Sequence, residues 1–146
     1  LVNVTTRIVD ATPQQAWAVL SDGWLYPLWV VGAARMREVD DSWPELGSRL
    51  HHSAGSWPFL IDDTTTVLER DPPRRLVLQA RGWPAGEARV TIELVPRGDQ
   101  TELRLAEDVT HGPTKLLPAP LRQWLIRVRN VEALRRLGLV MEGRAA

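Results

Sequence analysis

At 146 residues, 44% of them hydrophobic, the chain can bury one sizeable core and is too short for two ordinary domains, so a single domain over residues 1–146 is expected. Eighteen Lys and Arg balance eighteen Asp and Glu, so no overall basic field marks nucleic acid or an anionic membrane as the main partner. The absence of Cys removes disulfides, thiolate nucleophiles and Cys metal sites, and no apolar run approaches the ~18 residues of a membrane span.

Residues 2–9 alternate, with Val2, Val4, Thr6 and Ile8 sharing one face of a half-buried strand. Thr12-Pro13-Gln14-Gln15 then supplies a capping residue, Pro at the first helical position and Gln at the third, the pattern of a capping box. The short helix that follows carries Ala16, Trp17, Val19 and Leu20 and is expected to stop at Asp22-Gly23, with Gly23 left-handed. Residues 24–31 read as a brief second helix holding Tyr26 and Trp29. From 34 to 109 the pattern is strand, turn, strand, punctuated at residues 40–44, 55–58 and Asp71-Pro72-Pro73. The last three strands are the clearest. Leu76, Leu78 and Ala80 share a face, as do Ala88, Val90, Ile92 and Leu94, and then Leu103 and Leu105; hairpins at residues 83–86 and 96–99 join them.

Residues 120–141 form the one segment long and periodic enough for a multi-turn helix. Leu121, Trp124, Leu125, Val128, Val131 and Leu134 make its main stripe, expected to face the strands. Ile126, Ala133, Leu137 and Met141 make a weaker flank stripe, and Arg122, Arg129 and Arg136 a solvated ridge. The expected fold is α+β: a curved antiparallel sheet of about seven strands wrapped around a long C-terminal helix, with two short helices after the first strand.

In this order the chain resembles the helix-grip superfamily of START-like and birch-pollen-allergen-like proteins, and more narrowly its polyketide cyclase/dehydrase and lipid-transport branch. The residues that carry the resemblance are IVDATPQQAWAVLSD at 8–22 with Tyr26 and Trp29, DPPRRL at 71–76, Glu107-Asp108-Val109 with Gly112-Pro113, and Arg129-Asn130 before EALRRL at 132–137. The resemblance implies a hydrophobic cavity between sheet and long helix. It leaves the activity open, because one fold serves carriers, cyclases and regulators.

Seven of the nine aromatics are Trp, a side chain suited to lining such a cavity as well as to plain core. Trp29 and Trp83, beside the short helices and a hairpin turn, Trp124 and Val128, on the main helical stripe, and Glu107 with Arg127 are the expected ligand contacts. Glu107 is the one charged residue in phase with Leu103, Leu105 and Val109; either it points into the cavity, protonated or paired with Arg127, or a bulge turns it to solvent. If Leu103 pairs with Leu94, Glu107 lies opposite Val90 with Ala80 following. Glu107, His52 and Tyr26 are the acid/base candidates. His51 and His52 point to opposite faces of a strand and cannot share a metal; of the two, His52 is in phase with Leu50. No metal site and no cofactor are expected, and the phase of Asp62-Asp63 is ambiguous.

The reading that follows is a protein that binds a small hydrophobic, lipid- or polyketide-like molecule, with a polyketide cyclase/dehydratase-type enzyme as the alternative. A protein-binding regulator is a third reading, with Ile126 and Leu137 as its exposed patch. The chain is expected to be cytoplasmic, a monomer or weak homodimer, with no nucleic-acid partner and no stable membrane insertion.

Overall fold

The computed structural model describes residues 3–31, 33–54, 61–82 and 86–146. Trp57 and Trp83, with the turns expected around them, lie outside the described residues. Strand β1 (Asn3–Val9) leads to α1 (Pro13–Leu20), a 3-10 turn (Gly23–Leu25) and α2 (Tyr26–Trp29). Six strands follow, β2 (Ala33–Val39), β3 (Arg49–Ala54), β4 (Ile61–Asp71), β5 (Arg75–Gly82), β6 (Gly86–Arg97) and β7 (Gln100–His111), then a second 3-10 turn (Pro113–Leu116) and α3 (Ala119–Ala145). The strands form one antiparallel sheet in the order β1-β7-β6-β5-β4-β3-β2, so the first strand closes against the last. This is the expected α+β helix-grip arrangement. Register shifts in β2 against β3 and in β4 against β5 insert extra residues that bend the sheet.

Local chemistry explains the short elements. Thr12 Oγ1 accepts from the Gln15 amide at 3.2 Å while Gln15 Oε1 accepts from the Thr12 amide at 2.8 Å, so the capping box is complete. The Gly23 expectation fails: its φ is not positive, and the residue opens the 3-10 turn instead. Glycine is required there for space, because a Cβ would lie 2.5 Å from Leu50 Cδ2 and 2.9 Å from Val39 Cγ1. The face of β1 also differs. Val4 and Ile8 are exposed, and Val9 is the buried residue of the strand.

The largest correction concerns α3. Leu121, Trp124, Leu125, Val128 and Val131 face outward, and of that stripe Leu134 alone is buried. The buried side carries Ile126, Asn130, Ala133, Leu134, Leu137, Gly138 and Met141, mainly the stripe expected on the flank. The physical reason is close packing. Where α3 crosses β1, a Cβ at Gly138 would sit 2.9 Å from both Arg7 Nε and Val9 Cγ1, so the helix approaches on small residues. Small residues weaken the hydrophobic signal of the very face they bury. With Ile126 and Leu137 buried, the regulator reading loses its patch.

Candidate functional site

Between the sheet and the first half of α3 lies a cavity of about 610 Å³, within the range of small-molecule sites. Its floor is the inward face of the strands: Leu78 and Ala80 from β5, Ala88 and Val90 from β6, Leu105, Glu107 and Val109 from β7, and His52 from β3. Tyr26, Trp29 and Val30 close one wall, and Ile126, Arg129, Asn130 and Ala133 form the roof. The pairings Leu103↔Leu94 and Glu107↔Val90 hold as expected, but Leu78 is the residue beside Val90, and Ala80 faces Ala88 one step along. Two small side chains facing each other there leave room that larger pairs would fill.

Glu107 is buried and takes its charge partner from the helix. That partner is Arg129, whose Nη2 donates to Glu107 Oε2. Arg127, the expected partner, does not line the cavity, because two residues along a helix rotate a side chain by about 200°. Arg129 is half-exposed, and the loss of solvent on its cavity side draws the guanidinium below its usual range while the neighbouring Tyr26 opposes that shift. The ridge expected to be solvated is therefore split in use: Arg129 serves the cavity, Arg122 donates to the carbonyl oxygens of Lys115 and Leu117, and Arg136 pairs with Glu132.

A second polar group stands on the other wall. Thr65 Oγ1 lies 3.2 Å from the Tyr26 hydroxyl and 3.0 Å from His52 Nε2, and a hydroxyl can accept from one neighbour while donating to the other. The Tyr26 and His52 rings stack with centroids 5.6 Å apart, and Trp29 meets Tyr26 edge-on at 5.3 Å. Burial raises the Tyr26 pKa and lowers that of His52, so the first holds its proton and the second is held neutral. On the roof, Asn130 is 2% exposed, and among the described residues its Nδ2 is a buried donor without a hydrogen-bond partner.

Of the residues expected at a site, Tyr26, Trp29, His52 and Glu107 come together on the cavity wall. Trp124, at 61% exposure, Val128 and Arg127 lie on the outside of α3 and do not line the cavity. Of the ambiguous pair, Asp63 shares the inward phase of Thr65 and Val67 while Asp62 points out to Ser53 Oγ and Arg37. His51 turns to the opposite side of its strand from His52, bonded to Asp40 at 2.9 Å. Thr65, Arg129 and Asn130 were not expected as site residues; the last two share the phase of Ile126 and Ala133, the stripe judged weaker. Among the described residues no three His, Asp or Glu side chains converge as metal ligands would. No helix among them is long and apolar enough to cross a membrane.

A family profile described as polyketide cyclase/dehydrase and lipid transport matches residues 2–142. The chain belongs to this family. Solved structures share the fold. A Rhodobacter sphaeroides protein is 26% identical with a TM-score of 0.69, covering 96% of this chain and 91% of that one. A conserved Geobacillus kaustophilus protein is 13% identical with a TM-score of 0.75, covering 100% and 98%. The di-domain ARO/CYC StfQ of the steffimycin biosynthetic pathway is 14% identical with a TM-score of 0.66; 99% of this chain matches 52% of that one, so the likeness is in fold and spans about half of it. No curated protein matches the sequence significantly.

Proposed function

We propose that this member of the polyketide cyclase/dehydrase and lipid-transport family binds one small hydrophobic molecule with a polar end, the apolar body lying along the strand floor and the polar end meeting Asn130 and the Glu107–Arg129 pair. The observation that carries the reading is Asn130 Nδ2, a buried donor without a partner among the described residues, in the roof of a mostly apolar cavity. A buried donor without a partner costs about 1–3 kcal/mol. A ligand carbonyl or hydroxyl oxygen at that point would relieve the cost, so the ligand is an acceptor-bearing lipid- or polyketide-like compound. Trp29 on the wall is a natural reporter. Titration with fatty acids and flat aromatic ketones should give a saturable change in Trp emission and a thermal shift, and Asn130→Leu should weaken these ligands about tenfold while sparing a pure hydrocarbon. No saturable response to any of these compounds would sink the reading.

A cyclase/dehydratase reading is favoured by one specific observation, the neutral His52 held by Thr65 beside a protonated Tyr26. A neutral imidazole next to a phenol is an acid/base pair suited to enolisation or loss of water from a bound chain. Under that reading Glu107 keeps Arg129 oriented rather than moving a proton itself. Turnover of a poly-β-ketone thioester that is lost in both His52→Gln and Tyr26→Phe, with binding retained, would distinguish the enzyme from the carrier.

A further inference from the structure

The outer side of α3 carries an apolar surface that, Leu125 apart, does not line the cavity. Leu121, Trp124, Leu125, Val128 and Val131 are each between 44% and 61% exposed, and Leu116, in the turn just before the helix, is 87% exposed. At 1.5 Å per residue this helical stripe is about 16 Å long. The balance of charge over the whole chain hides a local asymmetry. Between Asp108 and Glu132 there is no acidic residue, while Lys115, Arg122, Arg127 and Arg129 all fall there. Arg129 is committed to Glu107. Arg122 donates to carbonyl oxygens, which leave its charge uncompensated, and Arg127 has no ion-pair partner among the described residues. At about 100° per residue, Arg127 lies on one flank of the stripe and Arg122 on the other.

We propose that the first half of α3, with the turn before it, is a docking surface for an anionic lipid bilayer. Trp124 and the Leu and Val side chains enter the boundary between headgroups and acyl chains, and Lys115, Arg122 and Arg127 meet the lipid phosphates. A Trp- and Leu-bearing stripe between arginines is the composition of an interfacial helix. Charge complementarity selects this occupant over a second copy of the chain, because a two-fold contact would set the same cations against each other. The stripe is also short for a stable dimer, which buries ~1,200 Å² or more. Leu125 and Arg122 belong both to this surface and to the cavity rim, so docking brings the opening to the lipid. Docking goes beyond the ligand reading and requires nothing of the cavity's contents.

Co-sedimentation with vesicles of phosphatidylcholine, with and without phosphatidylglycerol, tests it. The chain should partition onto the anionic vesicles, weakly or not at all onto the neutral ones, and release as salt rises. Arg127→Glu and the double variant Trp124→Gln/Val128→Gln should each lower partition roughly tenfold or more. Both should keep the thermal midpoint and the cavity ligand response, since the replaced side chains stand mostly in solvent. No partition onto anionic vesicles, or partition unchanged in both variants, overturns the proposal. So does a dimer that the double variant abolishes, which would give the stripe to a second copy, or saturable binding of an acidic amphipathic peptide without vesicle partition, which would give it to a protein.

Discussion

His52 shows how one residue couples the site to the stability of the fold. Its ring is buried against Tyr26, and burial holds its pKa below the ordinary 6.5 of an exposed imidazole. Above pH 6.5 neither the folded nor the unfolded chain binds this proton. As pH falls through that value the unfolded chain takes up a proton that the folded chain refuses, so the contribution is complete above about 6.5 and is lost as pH falls towards the folded value. Urea unfolding should therefore show stability declining as pH falls below about 6.5, and His52→Gln should flatten that decline. A slope that persists in the variant would place its origin elsewhere. At this scale the sequence was informative about strands and poor about the helix. Strand alternation put His52 in phase with the inward face, and Glu107 too unless a bulge intervened; the regular register of Glu107 with Val90 decides for the inward face. The partner of Glu107 was misassigned, because Arg127 and Arg129 could be told apart only by knowing which side of α3 meets the sheet.

Elements with a local signature were legible. The capping box at Thr12 and Gln15, the hairpin at Arg97 and Gln100, and the brief helix with Tyr26 and Trp29 all rest on interactions within a few residues. Gly23 was misread because its role is set by residues far along the chain. Its Cα faces Leu50 and Val39, and no feature near Asp22 announces them. Gly23→Ala should consequently destabilise by about 1–3 kcal/mol through overpacking, read as a lower midpoint in thermal unfolding. If Gly23 were instead required for a left-handed turn, Asn would be tolerated there better than Ala; with the space argument, Asn is worse. The same lesson holds for α3. Two apolar stripes ran along one helix, and hydropathy favoured the one with larger side chains, whereas packing against β1 selected the one with Ala133 and Gly138.

Across the whole molecule, α3 is seated unevenly. Its second half buries Ala133, Leu134, Leu137, Gly138 and Met141, whereas its first half, over the cavity, buries Ile126 and Asn130. Glu142 Oε2 also accepts from the Asp10 amide at 3.0 Å, fastening the far end to the segment after β1. Amide exchange should follow that distribution, slow at residues 133–142 and faster by an order of magnitude or more at 121–128; uniform protection along α3 would refute the uneven seating. A roof seated more deeply at one end has a natural pivot there, and the other end is held over the cavity chiefly by the Glu107–Arg129 pair and the Arg122 hydrogen bonds. Were those few ties to yield, the girth of the chamber beneath would be set by its guest as much as by its walls. Selectivity would rest less on a ligand's bulk than on where it carries its oxygen.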